Sequence, residues 1–113
     1  MTIKKFHLYL ADLNPRMGTE PGKTRPVVVV QTDLLNTTHL STLICPITTK
    51  VVASANILRV HLPKGTAGLL HPSDIMVDQL RAIDNRRFQR HLGVLTDSYK
   101  RRLLDNLQAL ILE

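Results

Sequence analysis

Apolar and polar positions along the chain mark out a succession of short strands followed by one helix. FHLYLAD sets Phe6, Leu8 and Leu10 against His7, Tyr9 and Ala11, and this period of two predicts a half-buried strand. RPVVVVQT carries an unbroken valine run, Val27 to Val30. Valine is stiff at χ1 and suits a pleated sheet, so the run predicts a central strand buried on both faces. LSTLICPIT predicts another strand, in which Pro46 marks an edge or a bulge because proline donates no ladder hydrogen bond. VVASANILRVHLP predicts a further strand, with Leu58, Val60 and Leu62 opposite Ile57, Arg59 and His61. DIMVDQLRAID reads as one or two short strands, and NRRFQRHLG as a short helical segment ending at Gly93. DLLNTTH is a connection or short helical turn, while NPRMGTEPGKT and KGTAGLLHPS are loops.

The last element has the clearest period. Thr96 or Asp97 caps a helix running to Ile111, with Tyr99, Leu103, Leu107, Leu110 and Ile111 on one apolar face. Leu104 and Leu112 lie beside that face, so a small fold leaves apolar surface for a partner. Several short strands and one terminal helix predict a mainly β protein with a C-terminal α-helix, built as a small bent sheet or barrel. No repeat, low-complexity tract or boundary interrupts the chain, so residues 1–113 read as a single domain.

Composition narrows the setting. The single cysteine, Cys45, lies in the apolar run TLICPI and reads as a buried small hydrophobe in a reducing cytosol. The first residues are neither a signal peptide nor a membrane span, because His7 and Asp12 interrupt a short apolar stretch. A formal net charge of +6 favours an anionic partner, most simply nucleic acid, and RRFQRH and KRR are local basic clusters. Two phenylalanines, two tyrosines and no tryptophan do not make a platform for stacked bases, so contacts would rest on phosphates and polar groups.

Candidate chemistry is sparse. Gly18 and Gly22-Lys23-Thr24 resemble a P-loop, but only three residues separate the glycines where that pattern needs four. A strand follows, not the helix whose amides would hold phosphates. The histidines His7, His39, His61, His71 and His91 are scattered without metal-ligand spacing. Asp74 and Asp78 form a weak magnesium signal and read better as surface or turn residues. The serines lack a nucleophile-elbow setting. Arg25 stands out: it precedes Pro26, which forces an extended backbone and opens the valine strand. Its guanidinium matches a phosphate bidentately, or equally ties down the loop by pairing with Glu20 or Asp78. Thr48 ends a buried strand and presents a hydroxyl at the rim, although a turn threonine bonded to its own backbone explains the residue as well.

Taken together, ADLNPRMGTEPGKTRPVVVVQTD, STLICPITT, MVDQLRAID and LGVLTDSYKRRLLDNLQALI resemble, in order and over nearly the whole chain, the MazF/PemK (Kid) family of toxin–antitoxin ribonucleases. The resemblance implies an SH3-like barrel with a C-terminal helix, a homodimer, and metal-independent cleavage of single-stranded RNA, needing no cofactor. It implies an antitoxin whose acidic tail blocks the RNA groove, and a cytoplasmic setting with no membrane partner. The arginine of the family's TRP falls at Arg25 and the threonine of its PIT at Thr48, the catalytic pair of the better-matching branch. Thr19, Glu20, Lys23, Asp78 and Gln79 are the substrate-contact positions carried over. The Kid branch has a loop histidine where this chain has Thr19, and an arginine where it has Met76, so a mechanism built on those two does not transfer. The alternative is a CcdB-like gyrase poison, which shares the fold without catalysis; that activity depends on a C-terminal tryptophan, and this chain ends QALILE.

Overall fold

The valine run forms the strand around which the others are arranged. In the computed structural model, which describes residues 1–15, 17–19 and 22–113, β1 (His7–Asp12), β2 (Thr24–Val29) and β3 (Ser41–Thr48) run antiparallel with β2 in the middle. Val28 faces one apolar cluster with Leu8, Cys45, Ile47, Val60, Leu62 and Ile75. Val27 and Val29 face the other, with Tyr9, Ala11, Leu13 and Ile44. Each such buried valine contributes roughly 1.5–3 kcal/mol relative to exposure, which fixes the register of this strand on both sides.

The remaining strands are β4 (Arg59–Leu62), β5 (Ser73–Met76), β6 (Arg81–Asp84) and β7 (Phe88–Val94). The sheet runs β4-β5-β3-β2-β1-β7, with β6 also paired to β3. It is mainly β, as expected, but the ladders do not close into a barrel: β4 and β7 stand at opposite ends. A short helix, α1 (Asp33–Asn36), follows β2, and α2 (Asp97–Leu112) ends the chain. Leu103 of α2 is fully buried in the first cluster, with Tyr99 and Leu107 packed beside it. The far end of the helical face is uncovered, with Ile111 61% and Leu112 77% exposed. Among the described residues no helix is long and apolar enough to cross a membrane.

Three expectations need correction. β1 is not half-buried: adjacent Leu8 and Tyr9 are both fully buried, on opposite clusters. Tyr9 satisfies its phenol by donating to the Thr2 carbonyl at 3.0 Å and accepting from the Lys4 N–H at 2.9 Å. Pro46 marks no edge, since β3 is interior. The ladder to β6 ends at Ile44 and the ladder to β5 begins at Ile47, so the proline stands at the changeover, where a missing N–H costs least. Finally, NRRFQRHLG is not helical beyond one 3₁₀ turn, Asn85–Arg87, capped by the Asp84 carboxylate. Phe88 and Leu92, four apart, suit a helix and a strand alike. Pairing with β1 decides for the strand and sets Phe88 edge-on to the Tyr9 ring at 5.3 Å.

Candidate active site

The ends of four strands and two loops meet at one rim of the sheet. The loop entering β2 is pinned where it leaves and returns. The Leu13 N–H donates to the Lys23 carbonyl (3.0 Å) and the Lys23 N–H to Asn14 Oδ1 (2.7 Å). Arg87 Nη1 donates to the Asp12 carbonyl (3.0 Å) and to that of Asn14. Arg25 lies across from Ala11, and its Nε donates to the Gly22 carbonyl at 3.1 Å, so its own loop orients the guanidinium. On the other side of β2, Val27 pairs with Pro46. Counting the same register onward brings Arg25 opposite Thr48, where cross-strand side chains are neighbours.

Thr48 does make the local turn bond expected of a threonine there: its Oγ1 accepts from the Lys50 N–H at 3.1 Å. A hydroxyl that accepts still has its hydrogen to donate, so the turn bond orients the group without using up that hydrogen.

Arg25 and Thr48 line one cavity of about 460 Å³. Thr19 and Lys23 line it too, as do Thr24, Thr49, Lys50 and Arg59, over a base of Gly22, Pro26, Ile47 and Met76. Four cations and four threonine hydroxyls therefore face the space, and no carboxylate does among the described lining residues. Such a lining suits a polyanion. Asp78 and Gln79 do not line it; they lie on a 3₁₀ turn, Val77–Gln79, directly after β5. Glu20 lies outside the described residues.

The basic clusters visible in the sequence lie elsewhere. Arg86 forks onto the Asp84 carboxylate, with both contacts at 3.0 Å, and Arg87 holds the loop carbonyls. Lys100 and Arg101 pair along α2 with Asp97 (3.6 Å) and Asp105 (3.9 Å), while Arg102 lies over the Tyr99 ring. Arg59 and Lys50 were not singled out as site residues from the sequence. Alternation in NILRVHL did place Arg59 on the polar side of a strand. Its position depends on β4 docking on β5, which sets Arg59 across from Met76. A guanidinium thus reaches this end of the cavity although position 76 is methionine.

Asp74 is a further correction. It is fully buried in β5, not a surface or turn residue. Its carboxylate accepts from the Val52 N–H (3.0 Å) and Arg59 Nη1 (3.1 Å), and meets His61 Nδ1 at 2.6 Å. Burial alone would push this carboxyl up, but those three donors together hold it below the ordinary carboxylate value. Cys45 is a different case: burial, then the nearby Asp78 charge, pushes its thiol up to about 12, which leaves it inert as a nucleophile.

Comparison with known proteins bears on the family and the fold. Residues 4–111 match a family described as PemK-like, MazF-like toxin of type II toxin–antitoxin system. The fold is similar to MazF from Deinococcus radiodurans (TM-score 0.83, 22% identity, covering 98% of this chain and 97% of that one). It is also similar to an endoribonuclease in complex with its cognate antitoxin from a mycobacterial species (TM-score 0.79, 16% identity, 98% and 97%). A third is the Mycobacterium tuberculosis toxin MazF-mt6 (TM-score 0.71, 23% identity, 91% and 93%). At these identities the structural likeness is one of fold.

Proposed function

The chain belongs to the PemK-like, MazF-like toxins of type II toxin–antitoxin systems, and we propose that its reaction is cleavage of single-stranded RNA at short sequences. The observation that carries this reading is the placement of Arg25 and Thr48 in one cavity walled by cations and hydroxyls.

RNA brings its own nucleophile. The ribose 2′-hydroxyl attacks the adjacent phosphorus, the bond to the 5′-oxygen breaks, and a 2′,3′-cyclic phosphate and a 5′-hydroxyl result. The reaction needs no metal, cofactor or covalent enzyme intermediate, but it needs alignment, stabilisation of the extra negative charge, and two proton transfers, one off the 2′-hydroxyl and one, from a protein group or water, onto the departing 5′-oxygen. Arg25, oriented by the Gly22 carbonyl, clamps the non-bridging phosphate oxygens as charge builds on them. Thr48, turned by the Lys50 N–H, donates its hydroxyl hydrogen to one of them. Lys23 and Lys50 hold flanking phosphates, and Thr19 contacts the strand. Glu20 and Asp78 are the carboxylates to test as acceptor of the 2′-hydroxyl proton, with Gln79 beside Asp78 as an RNA contact.

In this reading residues 1–113 form one domain that acts in the cytoplasm as a homodimer. The second copy covers the apolar end of α2. An antitoxin with an acidic tail competes with RNA for the cationic cavity, and both bind more weakly as salt rises. The test is incubation of the purified protein with RNA in excess chelator, followed by end analysis. Fragments with cyclic-phosphate and 5′-hydroxyl ends are expected. Intact RNA, 5′-phosphate ends or strict magnesium dependence would overturn the assignment.

A further inference from the structure

We propose that Asp74 is a positioning residue that fixes the β3–β4 loop, and with it Lys50 and Arg59, as the far wall of the cavity, and so sets which RNA sequences are held for cleavage. The inference rests on the endoribonuclease reading.

Residues 51–58 form no strand or helix. Local turn bonds, Val51 N–H to the Thr49 carbonyl and Ala55 N–H to the Val52 carbonyl, both at 3.0 Å, shape the segment, and bonds to other elements fix where it sits. Asp74 Oδ2 accepts the Val52 N–H at 3.0 Å. The same oxygen holds Arg59 Nη1 at 3.1 Å, and that nitrogen also donates to the Lys50 carbonyl at 3.2 Å. Asp74 Oδ1 holds His61 Nδ1 at 2.6 Å, and the other ring nitrogen of His61 meets the Ala55 carbonyl at 2.9 Å. Lys50, Val52 and Ala55 are thus tied to one buried carboxylate, directly or through one side chain. Asn106 of α2 closes the far end by accepting the Leu58 N–H at 2.6 Å.

The placement links this clasp to the chemistry. Asp74 pairs with Thr48 in the β3–β5 ladder, so the residue beside the candidate catalytic threonine also holds the loop that begins just after it. Lys50 and Arg59 both line the cavity. The loop that follows Lys50 also carries the exposed apolar side chains of Val51, Val52 and Ile57. Phosphates meeting the cations would bring bases against these side chains, and single-stranded RNA is read through its splayed bases. A buried carboxylate with cationic and N–H partners is costly to break from one side. Its removal leaves the Val52 N–H without an acceptor and lets Arg59 leave the Lys50 carbonyl.

The experiment compares wild type, Asp74→Ala and Asp74→Asn. Amide hydrogen exchange follows Val52 against the core strands, and cleavage of a random-sequence RNA pool is followed by sequencing of fragment 5′ ends. In Asp74→Ala, Val52 exchange should rise at least ~10-fold while core amides such as Val28 stay protected. KM for RNA should rise ~10-fold or more with kcat within ~3-fold, and the preferred cleavage sequence should broaden. Asp74→Asn, which keeps an acceptor for Val52, should restore part of each effect; it carries the comparison alone if the alanine variant does not fold. Unchanged Val52 exchange would overturn the clasp. Freed loop amides with wild-type KM and sequence preference would overturn its role in specificity, as would a fall confined to kcat. A wild-type protein that leaves RNA intact refutes the ribonuclease reading and the specificity role with it, while the exchange result still decides whether Asp74 holds the loop.

Discussion

Arg25→Ala is the most direct perturbation of the site. The wild-type side chain is partly buried at the strand end, with Nε engaged by the Gly22 carbonyl at 3.1 Å. That bond fixes the guanidinium plane before substrate arrives, which makes the group a preorganised donor. Removing one such donor typically costs about 10²–10³ in rate, roughly 2.7–4 kcal/mol. Alanine removes a whole fork and its charge, so the loss should reach or exceed ~10³-fold. Arg25→Lys keeps a cation but has one ammonium group to serve both the Gly22 carbonyl and the phosphate. Its loss should fall between wild type and alanine, at about 10²-fold. Stability should change little, by ~1 kcal/mol or less, because the residue lies at the rim of the core. The assay is single-turnover cleavage of end-labelled RNA, with thermal melts of each variant in parallel. A folded Arg25→Ala protein that cleaves within about threefold of the wild-type rate would refute the phosphate-clamp assignment.

Three other outcomes are expected. Thr48→Val, which removes both the donated hydrogen and the acceptor of the Lys50 N–H, should slow single-turnover cleavage by ~10–100-fold, with Thr48→Ser recovering most of it; equal losses in both would point to the methyl group instead. Gly68→Ala should lower stability by about 2 kcal/mol or more in a urea titration, because Gly68 has φ +82° and an added Cβ would meet the Leu92 carbonyl oxygen at 2.2 Å; an unchanged midpoint would contradict that packing. Asp74 is held below its unfolded value of 3.8, so its stabilising contribution is complete above that value and is lost as pH falls through the lower folded-state value. The stability gap between wild type and Asp74→Asn should therefore narrow on acidification below the unfolded value, and a gap that stays constant in acid would show that the carboxylate is not the source.

The parts of the fold that sequence made legible are those set by local period and steric preference. The valine run, the Arg25-Pro26 entry to β2 and the helix from Asp97 depend on few distant contacts, and they lie where expected. β7 was misread because Phe88 and Leu92 satisfy two periods, and only the β1 edge distinguishes them. Pro46 was misread for a related reason. Its missing N–H is a local fact, but whether that matters depends on which strand lies alongside, and β3 changes partner there. Asp74 could not be placed from sequence at all. Its donors, Val52, Arg59 and His61, come from the preceding loop and from β4, and no local pattern announces that they converge.

The same distinction governs where the charge acts. Runs such as RRFQRH and KRR catch the eye because like charges are adjacent, yet adjacent cations in a folded chain need neighbours that tolerate them. Here Arg86, Lys100 and Arg101 have carboxylates within 4.0 Å, and Arg87 has backbone carbonyls. The cavity collects its cations differently, one each from the loop before β2, from β2 itself, from the β3–β4 loop and from β4. Spaced along the chain, each is delivered by a separate element, and the two guanidinium groups are held in place, Arg25 by the Gly22 carbonyl and Arg59 by Asp74 and the Lys50 carbonyl, so the fold bears the repulsion of bringing the charges together. In the proposed ribonuclease reading a polyanion entering the cavity relieves that repulsion, so the reading places the binding energy of a net charge of +6 there more than at the conspicuous clusters.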